Sequence, residues 1–169
     1  MSVKQSIYIE APVEKVFDFC KDPRKTWAAM PEGVAGSGEL SDVTMTAEGV
    51  GTYYSWTMKV AGLRVEGFNV FTEFIPNQRI TDRSSRTFVG TWTVTFEPEG
   101  TGTRVTEWRH PVSFPPMRPL DRLMDRFRMS LEQQSLAKMK EALEKSGAPE
   151  TSAPPAAAAP AASASRGAR

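Results

Sequence analysis

The stretch from residue 35 to residue 111 limits the fold more than any other part of the chain. It reads as six strand-like runs, about Ala35 to Thr46, Thr52 to Val60, Arg64 to Ile75, Arg79 to Arg86, Thr91 to Glu97 and Thr103 to Pro111. The links are built from turn formers: Glu48-Gly49-Val50-Gly51, Ala61-Gly62, Pro76-Asn77 and Pro98-Glu99-Gly100-Thr101-Gly102. A parallel pair needs a crossover of roughly a dozen residues or more, so links this tight join only antiparallel neighbours. The middle of the chain is therefore an antiparallel meander.

The flanks supply one more strand and the helices. Val3 to Glu10 alternates Val3, Gln5, Ile7 and Ile9 against their neighbours until Ala11-Pro12 stops the strand. Val13, Val16, Phe17 and Cys20 then recur at helical spacing, with Glu14 in the first turn and Asp22-Pro23 as the stop. A second short helix, about Arg24 to Met30, is broken by Pro31 and Gly33. After Pro115, Pro116 and Pro119 a long helix is expected over Leu120 to Lys145, with Leu120, Leu123, Phe127, Leu131, Met139 and Leu143 near one face and Met124 widening it. Such a helix is on the order of 39 Å long, enough to cross a small sheet. The order β-α-α-β6-α predicts an α+β fold: a seven-stranded curved antiparallel sheet around a long C-terminal helix.

The 169 residues suit one folded domain, expected over 1 to 146. From Gly147 to Arg169 the chain is rich in Ala and Pro and has no aromatic, Ile, Leu, Val or Met, so this tail is expected to be disordered. Lys and Arg total 21 against 20 Asp and Glu, a formal charge of +1, which provides no field for nucleic acid. Cys20 is the only cysteine and His110 the only histidine, excluding an intramolecular disulfide and arguing against a metal site or a bound cofactor. No apolar run approaches the roughly 20 residues of a membrane span, and MSVKQSIYIE lacks a signal peptide's apolar core, so a cytoplasmic location is expected. The segment Met117 to Ser130 carries Arg118, Arg122, Arg126 and Arg128, but Asp121 and Asp125 neutralise much of it. Transient membrane contact is the most it suggests, and a solvated helix face is the plainer reading. The glycines of Gly33 to Gly38 precede no helix and no Gly-Lys-Ser/Thr, so nucleotide binding is disfavoured.

One helical stripe is narrower than a seven-stranded sheet, so apolar volume is expected between them, a place for a hydrophobic small molecule. Its lining is expected from Tyr54, Trp56, Met58, Phe68, Val70, Phe74, Trp92, Val94 and Phe96 on the sheet and Phe127 on the helix. Charged candidates depend on strand phase. If Val105 faces inward, period two sends Glu107 and Arg109 inward with it, and Ile80 carries Asp82 and Ser84. Burial would raise the carboxyl pKa values and the arginine lower them, which suits a general acid or base. The opposite phase puts Trp108 inside and leaves Glu107 and Arg109 as solvated ladder charges. His110 could serve as a base beside Glu107 or Asp82, or stand at the surface. Cys20, on an apolar helix face, is read as core.

The segment IYIEAPVEKVFDFCKDPRKTWAAMPEGV resembles the opening of the START-like helix-grip proteins, the SRPBCC superfamily that includes polyketide cyclase/dehydrase-related and lipid-transfer members. The residues that carry it are Ile9, Ala11, Pro12, Val16, Phe17, Asp22, Pro23 and Trp27, then Pro76 with Arg79-Ile80, and Gly102-Thr103-Arg104-Val105-Thr106. The resemblance implies the helix-grip fold over residues 3 to 146 and is nearest to small stand-alone bacterial members. The glycine-rich loop of the plant pathogenesis-related allergen branch is reduced to Gly49-Val50-Gly51, and no Rieske Cys/His cluster is present. Because one fold hosts many functions, three classes stay open. They are a carrier or sensor of a lipid, isoprenoid or polyketide-like compound, a polyketide aromatase/cyclase using the polar residues above, and a co-chaperone-like interaction module.

Overall fold

The first strand pairs with the last, and that closure sets the architecture. The computed structural model describes residues 3–32, 38–60, 62–111 and 121–145, with the side chains of 121–128 and 131 among those left undescribed. Strand β1 (Val3–Ile9) lies antiparallel to β7 (Gly102–Pro111), with Ile7 opposite Val105 and Gln5 opposite Glu107. The sheet then runs back through β6 (Gly90–Glu99), β5 (Arg79–Arg86), β4 (Leu63–Ile75), β3 (Tyr53–Val60) and β2 (Gly38–Thr44). The order is β1-β7-β6-β5-β4-β3-β2, every pair antiparallel, as the short links require. Helices α1 (Val13–Cys20) and α2 (Pro23–Ala28) follow β1, and α3 (Asp121–Lys145) closes the described chain.

Local chemistry explains the boundaries. Pro12, three residues past the end of β1, is still extended at ψ 149°, and α1 starts one residue later. The Asp22 carboxylate accepts from the Arg24 backbone N–H at 3.0 Å, capping α2, while Pro23 takes the first helical position, where its missing N–H costs nothing. Asn77, at φ 59°, occupies the left-handed position that turns β4 into β5, a conformation Asn tolerates better than most residues.

The core lies between α1, the C-terminal half of α3 and one face of the sheet. Phe17 meets Phe74 and Phe96 edge-on at 5.1 and 5.4 Å, over fully buried Ile9, Ile80, Val94 and Val105. Helix α3 packs chiefly along β1 and buries Glu132, Leu136, Met139 and Leu143. Leu136 and Glu132 extend the stripe expected from Met139 and Leu143; Leu131 and the earlier stripe residues lie outside the described side chains. The helix end is pinned by Lys15 Nζ donating to the Leu143 carbonyl at 3.1 Å and Lys140 Nζ to the Tyr8 carbonyl at 2.8 Å. Among the described residues no helix is long and apolar enough to cross a membrane.

Two ladders shift register, β2–β3 between Ser41 and Thr44 and β4–β5 beside the inner face. The β4–β5 ladder shifts register between Phe71 and Glu73. This bulge puts Gly67, Asn69 and Phe71 on the inner face, followed by Phe74, and turns Phe68 and Val70 outward, where Phe68 packs on Tyr53 at 5.7 Å. The expected inward placement of Phe68 and Val70 is therefore corrected, because the extra residue reverses the phase on one side of the bulge. Gly67 has its own reason. A Cβ there would lie 2.3 Å from the Trp56 ring, so the missing side chain is what lets the indole lie against the strand.

Candidate functional site

Two inward rows cross the sheet. In one, Phe71, Asp82, Trp92 and Arg109 stand opposite each other on β4, β5, β6 and β7; in the next, Ile80, Val94, Glu107 and Gln5 do the same on β5, β6, β7 and β1. The α1 end of this face is closed and apolar. The Arg109 end is polar, and from Glu132 the helix α3 continues past it toward residues whose side chains are not described.

Asp82 sits at the centre of a hydrogen-bonded chain. Tyr54 Oη donates to its Oδ2 at 3.1 Å, and Asn69 Nδ2 donates to its Oδ1 at 2.9 Å and to Ser84 Oγ at 2.8 Å. Trp56 Nε1 in turn donates to Asn69 Oδ1 at 2.8 Å, which orients the amide. Burial pushes Asp82 up from 3.8 to about 6, even though Asn69, Arg109 and Tyr54 all favour its charged form. Glu107 rises from 4.5 to about 7, first because it is buried, with Glu132 and Asp82 adding like-charge repulsion and Arg109 opposing. Tyr54 is held well above its ordinary value by burial and by Asp82.

Arg109 joins this cluster to the helix. Its Nε is 2.8 Å from Glu132 Oε1, and its guanidinium lies over the Trp92 ring at 5.5 Å. Trp92 Nε1 is buried beside Glu107 and favours the carboxylate there, yet completes no well-aligned hydrogen bond among the described residues. The cluster thus offers two carboxyls titrating near neutrality, a phenol and an indole N–H. This suits donating to or accepting from an oxygen, and moving a proton at one.

The other expected residues divide clearly. Tyr54, Trp56, Phe74, Trp92, Val94 and Phe96 lie on the inner face, and Met58 shares the Trp56 side of β3, half-buried. Val94 and Phe96 belong to the packed core beneath α1. Phe127 lies outside the described side chains. His110 does not join the cluster: with Arg109 inward, period two turns it outward beside Trp108, ring centroids 6.3 Å apart. Cys20 is buried with its Sγ 3.4 Å from Met139 Sδ, and burial raises its thiol pKa far above the usual range, so it is core. Two surface clefts, of about 670 and about 410 Å³, flank α1 and include neither Asp82 nor Glu107. No group of three or more His, Cys, Asp or Glu among the described residues is disposed to hold a metal ion.

Sequence reasoning missed Asn69, Phe71 and Glu132. Asn69 was hidden by the bulge. Glu132 carried a signal, since it falls four residues before Leu136 on the line through Met139 and Leu143. Asn69→Ala is expected to destabilise the chain by about 1–3 kcal/mol in denaturant titration, because it strands the buried Trp56 donor and removes a partner of Asp82. Carboxyl-carbon NMR of the same variant should show Asp82 holding its proton to higher pH. A titration unchanged from wild type would remove Asn69 from the control of Asp82.

A seven-stranded curved antiparallel sheet, closed from first strand to last and held by a long C-terminal helix, defines the helix-grip class of α+β protein. Solved structures agree. A crystal structure of a Thermus thermophilus protein, 24% identical, aligns with a TM-score of 0.71 over 87% of this chain and 99% of that one. A Chromobacterium violaceum protein, 20% identical, gives 0.63 over 85% and 98%. The di-domain ARO/CYC StfQ from the steffimycin biosynthetic pathway, 12% identical, gives 0.69 over 86% of this chain and 51% of that one. The chain belongs to the polyketide cyclase/dehydrase and lipid transport family, whose model matches residues 1–144. No curated protein matches it.

Proposed function

We propose that this protein binds a hydrophobic small molecule, a lipid, isoprenoid or polyketide-like ring compound, between the inner sheet face and the C-terminal helix, as a carrier or sensor. The observation that carries this reading is the polar end of an otherwise apolar face: Asp82 is 1% exposed and Glu107 6%, within a wall of Tyr54, Trp56 and Trp92. Buried carboxyls are costly, and a fold serving only its own stability gains more from apolar residues there. Family membership supports the same ligand class. The test is native mass spectrometry of the full chain purified gently from its source cell, with denaturing extraction of anything bound, together with tryptophan fluorescence titration against lipids and polyketides. A defined apolar adduct or a saturable fluorescence change is expected. Neither, with a folded protein, would remove this reading.

A second reading, an aromatase/cyclase-type enzyme, is supported by two carboxyls poised near neutral pH and by the ARO/CYC neighbour. In ring closure one ionised carboxylate would take the α-proton of a ketone. The resulting enolate carbon would bond to a second carbonyl carbon, and the other carboxylic acid would protonate that oxygen. Most of the acceleration would come from holding the two carbons together. Unchanged turnover in Glu107→Gln would exclude Glu107 from such a mechanism.

A further inference from the structure

Resting on the reading that the inner face takes an apolar ligand, we propose that this site selects electrically neutral ligands, apolar molecules bearing a ketone, hydroxyl or ester oxygen, and rejects those bearing a carboxylate. The selection comes from which charges are already committed. Arg109 is the one cation in the two inward rows that hold Asp82 and Glu107, and it stands 2.8 Å from Glu132 and over the Trp92 ring. A carboxylate needs a cation to replace its lost hydration. Here it would meet Asp82 and Glu107 on either side of Trp92, two acids that already share the charge of Arg109 with Glu132.

A neutral oxygen faces a better set of partners. The Trp92 indole N–H is buried beside Glu107 and completes no well-aligned hydrogen bond among the described residues, so a ligand oxygen can share it. A protonated carboxyl donates to a ketone, and an ionised one accepts from a hydroxyl. The same cluster thus serves neutral ligands in either protonation state and opposes an anion whenever either acid is ionised. Unlike a pocket that merely lacks a cation, this one discriminates by repulsion, which is removable by isosteric substitution.

The experiment titrates the full chain with dodecanol and with dodecanoate at pH 7.5, reading tryptophan fluorescence and calorimetry, for wild type, Glu107→Gln and Asp82→Asn. Wild type should bind dodecanol more tightly, and each substitution should narrow the ratio of the two dissociation constants by about tenfold, chiefly by tightening dodecanoate. Dodecanoate binding wild type as tightly as dodecanol, or a ratio unchanged in both folded variants, overturns the inference while leaving the binding reading intact. If neither probe binds wild type, this inference fails, while the adduct search and the lipid and polyketide titrations decide the binding reading separately.

Discussion

Raising the pH from 4 to 8 is expected to weaken the fold by several kcal/mol. Asp82, which titrates near 3.8 when exposed, does so at about 6 in the folded chain, and Glu107 moves from 4.5 to about 7. The folded state therefore binds these protons more tightly than the unfolded state. The stabilisation is fully present below about pH 4, falls as pH rises, and is gone once both groups have ionised above about pH 7. At about 1.4 kcal/mol for each pKa unit, each acid accounts for roughly 3 kcal/mol. Both are deeply buried, so solvent screens little of this. The exposed carboxylates Glu99, Glu141 and Glu144 act oppositely, their pKa values being lowered by Arg104, by Lys145 and by the Glu10 backbone N–H, and they matter only at the acid end. Urea titrations at half-unit steps from pH 4 to 8 would measure the slope. Glu107→Gln and Asp82→Asn should each flatten it and stabilise the chain at pH 8, and a wild-type profile flat across this range would contradict the proposed environment of both acids.

Phe17→Ala is expected to cost about 3–5 kcal/mol, the range for removing a well-packed buried aromatic. Phe17 is 4% exposed and is the contact through which α1 closes the sheet, lying edge-on to Phe74 of β4 and Phe96 of β6. Its loss leaves a cavity between elements far apart in sequence, which neither α1 nor the sheet can fill without abandoning its other contacts. The melting temperature should fall by roughly 10 °C or more. Phe17→Leu, which keeps much of the volume, should cost about half as much. A loss below about 1 kcal/mol for the alanine variant would mean that α1 relaxes into the space.

Much of this was legible from the chain. The seven strands, their antiparallel order and the three helices follow from turn residues and periodicity, and the observed elements agree to within a few residues. The N-terminal segment, from Ile9 through Trp27, pointed to the helix-grip class through its resemblance to that superfamily.

The site depended on what alternation cannot settle. Period two groups Thr103, Val105, Glu107 and Arg109 on one face of β7 and Arg104, Thr106, Trp108 and His110 on the other, and neither set is plainly the more apolar. Tertiary structure chose the first set, because Ile9 and Ile7 on β1 and Phe96 and Val94 on β6 turn the same way and close under α1. Trp108, the larger apolar residue, was thereby left 38% exposed while Glu107 was buried. The bulge at Phe71 to Glu73 decided in the same manner that Asn69 meets Asp82 and that Phe68 does not face the ligand side. By itself the sequence determined the number, kind and order of the elements, since those rest on contacts between near neighbours. Which side chains face the interior, and hence which acids meet Trp92 and Arg109, was decided only when strands distant in sequence paired, because phase is a property of the pairing and not of either strand alone.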